Sequence, residues 1–90
     1  MTIELIPWTL KYKAGWDENF KHFDNSMQQI IINKLNQMKQ PLRGRGLNDS
    51  KYLVEEVGGY RIAYEEDKQN KIKYVHFIGT HKQYEKWYKQ

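Results

Sequence analysis

The chain of 90 residues is long enough for one folded domain with a single core, and its content of 39% hydrophobic and 14% aromatic residues argues against a disordered chain. It contains no cysteine, which excludes a disulfide framework and a thiolate metal site and suits a reducing cytosol. No run approaches the roughly 20 apolar residues of a membrane span, and a signal-peptide pattern is absent. We therefore expect a cytoplasmic protein without membrane contact. The net charge of +4 allows an anionic partner without requiring one.

The beginning of the chain predicts a short strand and then a helix. Thr2–Ile6 alternates apolar and polar residues, as a half-buried strand does. We predict a first helix from Thr9, a candidate N-cap, to about Phe23. Trp16, Phe20 and Phe23 recur within it at helical spacing, which places them on one stripe that packs against a sheet.

A second helix and a basic loop follow. Asp24 and its neighbours favour a helix start, and we predict a helix from there to about Lys39. The apolar positions of this helix lie on one side: Met27, Ile30, Ile31, Leu35 and Met38. After it, Arg43 and Arg45 alternate with glycines. A solvated loop is one interpretation, and a loop that touches phosphate is the other, because glycine lets the backbone approach an anion closely.

The second half of the chain predicts three strands and a short terminal helix. Gly58-Gly59 separates the strands Lys51–Val57 and Tyr60–Glu65, and such a pair favours a two-residue hairpin turn. Ile72–Gly79 forms the last strand, and Lys82–Gln90 a short helix. We expect an α+β fold in a single domain, residues 1–90, with a two-helix hairpin packed on a small, mainly antiparallel four-stranded sheet.

Arg61 is the charged residue best placed for chemistry. Side chains alternate between the faces of a strand, so Tyr60, Ile62 and Tyr64 share the face that we expect to enter the core. Arg61 then projects from the opposite face of a rigid sheet. Glu55 and Glu56 on the preceding strand also point to opposite faces, and alternation alone does not decide which one joins Arg61.

Two stretches of the sequence, GGYRIAY at residues 58–64 and FIGTHKQYEKWY at residues 77–88, resemble the RelE/ParE superfamily of small toxins from bacterial and archaeal toxin–antitoxin pairs. The resemblance extends over nearly the whole chain, and the second stretch is most similar to HigB-like and RelE-like members. It implies a ribonuclease that cuts mRNA on the ribosome and an acidic antitoxin as partner. It also implies that Arg61 binds the scissile phosphate, and that His81, Lys82 and Tyr84, with Tyr88, complete the site.

The residue types agree with metal-independent RNA cleavage, which needs a base, a cation at phosphorus and an acid. The planar fork of Arg61 matches phosphate oxygens. His81 is a candidate proton-transfer group. Tyr84 and Tyr88 could transfer a proton or stack on a base. The expected RNA-backbone contacts are basic: Lys82, Lys51, Arg43 and Arg45.

The sequence gives little support for a metal site or for a lysine as the base. His76 lies inside an apolar strand, which favours a structural histidine, and the scattered histidines do not predict a zinc site. We expect no metal and no small-molecule cofactor. Typical RelE members carry lysines before the Gly-Tyr-Arg turn, whereas this chain has Leu53, Glu55 and Glu56, with Lys51 the nearest base. A His or Glu base therefore fits better than lysine.

Two alternative functions remain open at this stage. A ParE-like toxin would have the same fold directed at DNA gyrase and would need no RNA-cleaving residues. A non-catalytic domain that binds RNA or docks an antitoxin would explain the missing lysines. Arg61 together with His81 and Tyr84 favours the mRNA-cleaving toxin.

Overall fold

The computed structural model describes residues 7–40 and 52–89, together with the backbone of residues 45 and 46. The predicted strand Thr2–Ile6 and the candidate RNA contacts Arg43 and Lys51 lie outside the described residues, as does the side chain of Arg45. The fold is α+β. Its elements in chain order are β1 (Thr9–Tyr12), a 3-10 helix (Phe20–His22), α1 (Asn25–Gln37), β2 (Arg45–Gly46), β3 (Leu53–Val57), β4 (Tyr60–Asp67), β5 (Ile72–Thr80) and α2 (His81–Tyr88).

The strands form one mixed sheet in the order β1-β5-β4-β3-β2. All neighbouring pairs are antiparallel except β1 and β5, which run parallel with Thr9 opposite Ile72. The prediction of a mainly antiparallel sheet is therefore confirmed. The described sheet has five strands: three of the four predicted ones, now β3, β4 and β5, together with β1 and the two-residue β2, which were not predicted.

The predicted first helix is wrong over most of its length. Its first residues form strand β1, whose backbone pairs with β5, and Gly15 with φ of 87° follows in a turn. Only a 3-10 helix of three residues forms near the end of the predicted range. The aromatic side chains of this segment still pack against the core. A turn also brings them together, with 5.4 Å between the ring centroids of Trp16 and Phe20 and 6.1 Å between those of Phe20 and Phe23.

The predicted second helix is confirmed as α1. The backbone N–H of Met27 donates a hydrogen bond of 2.8 Å to Oδ1 of Asp24, which caps the helix. Ile31, Leu35 and Met38 are buried against the sheet. Since the preceding segment contains only the short 3-10 helix, the predicted two-helix hairpin is confirmed only in its second arm.

The hairpin between β3 and β4 has the predicted turn. Gly58 and Gly59 have φ values of 53° and 82°, a region that costs other residues strain, and they leave Val57 opposite Tyr60. This turn fixes the register of the hairpin, so that Glu56 lies directly opposite Arg61.

Each face of the sheet carries a core of its own. The first face, which we name the α1 face, has a core of residues from α1 and its C-cap, β4 and β5: Ile31, Leu35, Met38, Ile62, Tyr64, Val75 and Ile78. The second, named the α2 face, has a smaller core under the terminal helix: Val54, Ala63, Phe77 and Tyr84, with Tyr52 and Trp87 packed against it. The aromatic face of β4 enters the core as predicted, and Arg61 lies on the α2 face.

A buried lysine, which the sequence did not suggest, joins α1 to the sheet. Lys73 on β5 is fully buried, and its Nζ donates a hydrogen bond of 2.8 Å to the carbonyl oxygen of Met38 at the end of α1. The ammonium also lies near the rings of Trp8 and Tyr64. Burial lowers the pKa of Lys73, and the carboxylates of Glu66 and Glu55 partly oppose that shift.

The lowered pKa of Lys73 predicts a pH-dependent stability. Because the folded chain releases this proton more readily than the unfolded chain, the unfolded state binds more protons between the lowered pKa and the ordinary value of 10.5. The free energy of unfolding should therefore gain a rising contribution as pH increases through that window. Denaturant titrations of the parent and of Lys73→Met will measure this slope. An identical slope in both proteins would contradict the assignment to Lys73.

Candidate functional site

Arg61 is held at one end of the α2 face by two neighbours. Its Nη2 lies 3.6 Å from Oε1 of Glu56 on β3, and its guanidinium lies over the ring of Tyr84 on α2, 5.2 Å from the centroid. The Arg61 side chain is 20% exposed, whereas that of Glu56 is 70% exposed. An exposed ion pair contributes roughly 0–1 kcal/mol, so Glu56 can give way readily to a phosphate.

The start of α2 is fixed beside Arg61 by a capping box. The backbone N–H of Gln83 donates to Oγ1 of Thr80 at 3.2 Å, and the N–H of Thr80 donates to Oε1 of Gln83 at 2.8 Å. Gly79, the strand partner of Arg61, leaves the space that this arrangement needs. A Cβ at Gly79 would lie 2.7 Å from Cζ of Phe77 and 2.9 Å from the Gln83 oxygen.

Tyr84 lies between Arg61 and Tyr88. It is 3% exposed, and its ring stacks on that of Tyr88 with 5.9 Å between centroids and 14° between planes. Within the described part of the chain, its hydroxyl oxygen is buried without a hydrogen-bond partner. Burial raises the pKa of Tyr84, although the nearby Arg61 charge opposes the shift. Proton transfer at neutral pH would need a lowered pKa, so this environment favours a positioning role.

His81 is the first residue of α2 and contacts its own helix. Its Nε2 lies 2.9 Å from Oε1 of Glu85 one turn later, and both side chains are about half exposed. The family resemblance implies that His81 and Arg61 belong to one site. The contact that the structure gives it is with Glu85 instead, while Arg61 contacts Glu56 and Tyr84.

The structure decides which of the two glutamates shares a face with Arg61. Glu55 lies on the α1 face, where its Oε1 is 3.0 Å from Nζ of Lys34 and only 13% of its side chain is exposed. Glu56 lies on the α2 face beside Arg61. Glu55 is thereby a structural partner of α1, and Glu56 is the carboxylate available to the site.

Solved structures of known proteins have the same fold. A chain of the RelBE2 toxin–antitoxin complex from Mycobacterium tuberculosis matches with a TM-score of 0.75 at 14% identity, covering 88% of this chain and 97% of that one. The isolated RelE toxin of E. coli matches with a TM-score of 0.68 at 13% identity, covering 91% and 96%. A chain of the RelB–RelE complex from Methanococcus jannaschii matches at 0.59 and 15%, covering 86% and 96%.

The chain has the RelE fold. No protein-family model matches the sequence, and no curated protein matches it either. The similarity to these three structures is one of fold, since the sequence identity stays between 13% and 15%.

The RelE fold of this chain brings part of the predicted site together. Arg61, Tyr84 and Tyr88 form one column of flat groups, with Tyr88 42% exposed at its end. Lys82 and His81 are exposed in the first turn of α2. The candidates Arg43, Arg45 and Lys51 precede β3, and no side-chain position is described for them.

Two site features were missed in the sequence. Thr80 and Gln83 form the pattern Thr-x-x-Gln, which signals a capping box and would have predicted the start of α2 at His81 rather than Lys82. The partner of His81, Glu85, stands four residues later on the same helix, a spacing that places two side chains together.

Trp87 holds α2 on the sheet through aromatic contacts, and His76 pairs with a residue of the neighbouring strand. Trp87 stacks on Phe77 with 5.0 Å between centroids and contacts Tyr52 at 4.9 Å. His76, predicted to be structural, lies 2.6 Å from Oε1 of Glu65 through its Nε2. Across residues 7–40 and 52–89, no three His, Asp or Glu side chains converge as metal ligands, and no helix is long and apolar enough to span a membrane.

Proposed function

We propose that this chain is the toxin of a toxin–antitoxin pair and that it cleaves mRNA on the ribosome without a metal ion. The observation that carries the proposal is the position of Arg61. Its guanidinium is fixed between the ring of Tyr84 and the exposed carboxylate of Glu56, at one end of a rigid sheet. A fixed cation next to a displaceable carboxylate is suited to binding a phosphate diester.

An antitoxin partner is supported by the structural neighbours. Those from Mycobacterium tuberculosis and Methanococcus jannaschii were crystallised as toxin–antitoxin complexes. The net charge of +4 favours an acidic partner segment that covers Arg61. The toxin would then be inactive in the complex and become active when the antitoxin is lost.

In the proposed reaction the RNA itself supplies the nucleophile. The 2′-oxygen attacks the adjacent phosphorus, the bond from phosphorus to the 5′-oxygen breaks, and the products are a 2′,3′-cyclic phosphate and a 5′-hydroxyl. Arg61 stabilises the negative charge that accumulates on the phosphate oxygens. Glu56 is the candidate base for the 2′-hydroxyl proton, because its carboxylate lies 3.6 Å from the group that binds the phosphate.

His81 and Lys82 are the candidates for protonating the leaving group and for holding the RNA backbone. His81 is the candidate acid that protonates the departing 5′-oxygen, since it is exposed and lies two residues after Gly79, the strand partner of Arg61. Lys82 follows it on α2 and binds the RNA backbone through charge. Tyr88, the exposed end of the aromatic column, offers a ring on which a base can stack.

The proposal is tested by inducing the protein alone in cells and mapping the ends of translated transcripts. We expect cuts within open reading frames that leave 2′,3′-cyclic phosphate or 3′-phosphate ends. The purified protein should also cleave mRNA on ribosomes when a chelator is present, provided that the ribosomes are shown to remain intact. A 3′-hydroxyl product would contradict the mechanism. Growth arrest with intact transcripts and damaged DNA would indicate a gyrase-directed toxin, and no growth effect would indicate a non-catalytic domain.

The two roles considered for Tyr84 make different predictions. If Tyr84 only supports Arg61, Tyr84→Phe should keep most of the cleavage rate, because the ring stays and the lost hydroxyl has no partner in the described chain. Tyr84→Ala should lose activity, since the guanidinium then has no ring beneath it. Single-turnover cleavage rates of the two variants decide the question. A large loss in Tyr84→Phe would show that the hydroxyl takes part in proton transfer.

A further inference from the structure

A second group of basic and aromatic side chains lies on the α2 face, at the edge of the sheet. Lys11 belongs to β1, the outermost strand of the described sheet on this side, where Leu10 packs into the core of the α1 face, so Lys11 and Lys13 face the other way. Tyr74 on β5 is the strand neighbour of Lys11, and Nζ of Lys13 lies over its ring, 4.7 Å from the centroid. We name Lys11, Lys13 and Tyr74 the edge patch.

The edge patch is accessible and its nearest acidic neighbour on β4 is engaged elsewhere. Both lysines are exposed and Tyr74 is half-buried. Glu65 is the partner of Tyr74 on β4, and its carboxylate is directed at His76, 2.6 Å from Nε2. Positive charge and an aromatic ring therefore remain as the main features of the patch.

We propose that the edge patch binds the single-stranded RNA beyond the scissile phosphate, with the lysines on successive phosphates and a base stacked on Tyr74. Lysines beside an aromatic ring are what proteins use to hold single strands without reading their sequence. Residues two positions apart in an extended polypeptide have Cα atoms roughly 6.6 Å apart, as Lys11 and Lys13 do here. This spacing is close to that of neighbouring phosphates in an extended single-stranded RNA.

The position of the edge patch relative to Arg61 fits one continuous RNA strand. Arg61 is the partner of Gly79, and Tyr74 lies roughly 16 Å away from Gly79 along β5. A few nucleotides span that distance. A contact between a cation and a ring is weak at an exposed site, and stacking of a base on the ring is stronger. Lys13 can therefore leave Tyr74 for a phosphate when RNA binds.

The test measures binding of a fluorescein-labelled single-stranded RNA by anisotropy over a range of salt concentrations. The inference rests on the proposed function for the direction of the strand, but its measurement does not require cleavage. The slope of log K against the logarithm of the salt concentration should be shallower by about 1.4 in Lys11→Ala/Lys13→Ala, because each lost phosphate contact removes roughly 0.7 from it. Tyr74→Ala should weaken binding about 5- to 150-fold, and Tyr74→Phe should restore it.

The matched control is Lys21→Ala/Lys39→Ala, which removes the same charge from exposed positions outside the α2 face. We expect it to bind RNA like the parent. If both double variants changed the salt dependence equally, the effect would be one of net charge and the inference would be wrong. A parent that binds no RNA would overturn it as well. A parent that binds through the patch but cleaves no transcript would overturn the proposed function alone.

Discussion

Arg61→Ala should lose roughly 10²–10³ in cleavage rate while the protein remains folded. The expected loss follows from the role of Arg61, which meets charge that develops only in the transition state. Its contacts are with an exposed glutamate and the edge of a small aromatic core, so the main core on the α1 face does not depend on it. The measurement is single-turnover cleavage of mRNA on translating ribosomes, with thermal unfolding recorded for the same preparation.

Arg61→Lys separates charge from geometry in the same assay. Lysine keeps the positive charge but has no planar fork for two phosphate oxygens and stacks less well on Tyr84. We expect a rate nearer to Arg61→Ala than to the parent. Parental activity in a folded Arg61→Ala variant would remove Arg61 from the mechanism and favour the gyrase-directed or non-catalytic alternative.

Ile31→Ala should reduce the free energy of unfolding by roughly 2–5 kcal/mol. Ile31 is fully buried between α1 and the sheet, so truncation removes transfer free energy and leaves a cavity. Small domains are stabilised by only about 5–15 kcal/mol, and the variant should melt at a much lower temperature than the parent. Denaturant-induced unfolding followed by tryptophan fluorescence measures the change.

The adjacent isoleucine provides the control for this prediction. Ile30 lies on the same helix and is 45% exposed, so Ile30→Ala makes the same chemical change without opening a buried cavity. We expect a change within about 0.5 kcal/mol, since alanine is also the better helix former. Equal losses in both variants would mean that α1 packs on the sheet through a different face.

The sequence was sufficient where local chemistry determines the structure. Gly58 and Gly59 adopt the positive φ angles of a tight turn without strain, and they separate two β-rich runs, so the hairpin and the face of Arg61 followed from residue types and alternation. Asp24 likewise marked the start of α1 correctly.

The sequence was insufficient where distant segments compete for the same residues. Thr9–Tyr12 forms a strand because β5, which is far away in the chain, supplies a parallel partner. The helical spacing of Trp16, Phe20 and Phe23, on which the predicted helix rested, does not reveal such a partner. The choice between Glu55 and Glu56 also needed the structure, since it depends on the register of the hairpin, which places Glu56 opposite Arg61 and Glu55 opposite Ile62.

The parallel pairing of β1 with β5 also has a consequence for the order of folding. The strands β3, β4 and β5 are joined by short connections, whereas Thr9 and Ile72 are about sixty positions apart in the chain, so their pairing closes the longest loop and carries the larger entropic cost. We expect the meander of β3, β4 and β5 to form first and β1 to dock late. In hydrogen exchange, the amides of β1 should then open before those of β4.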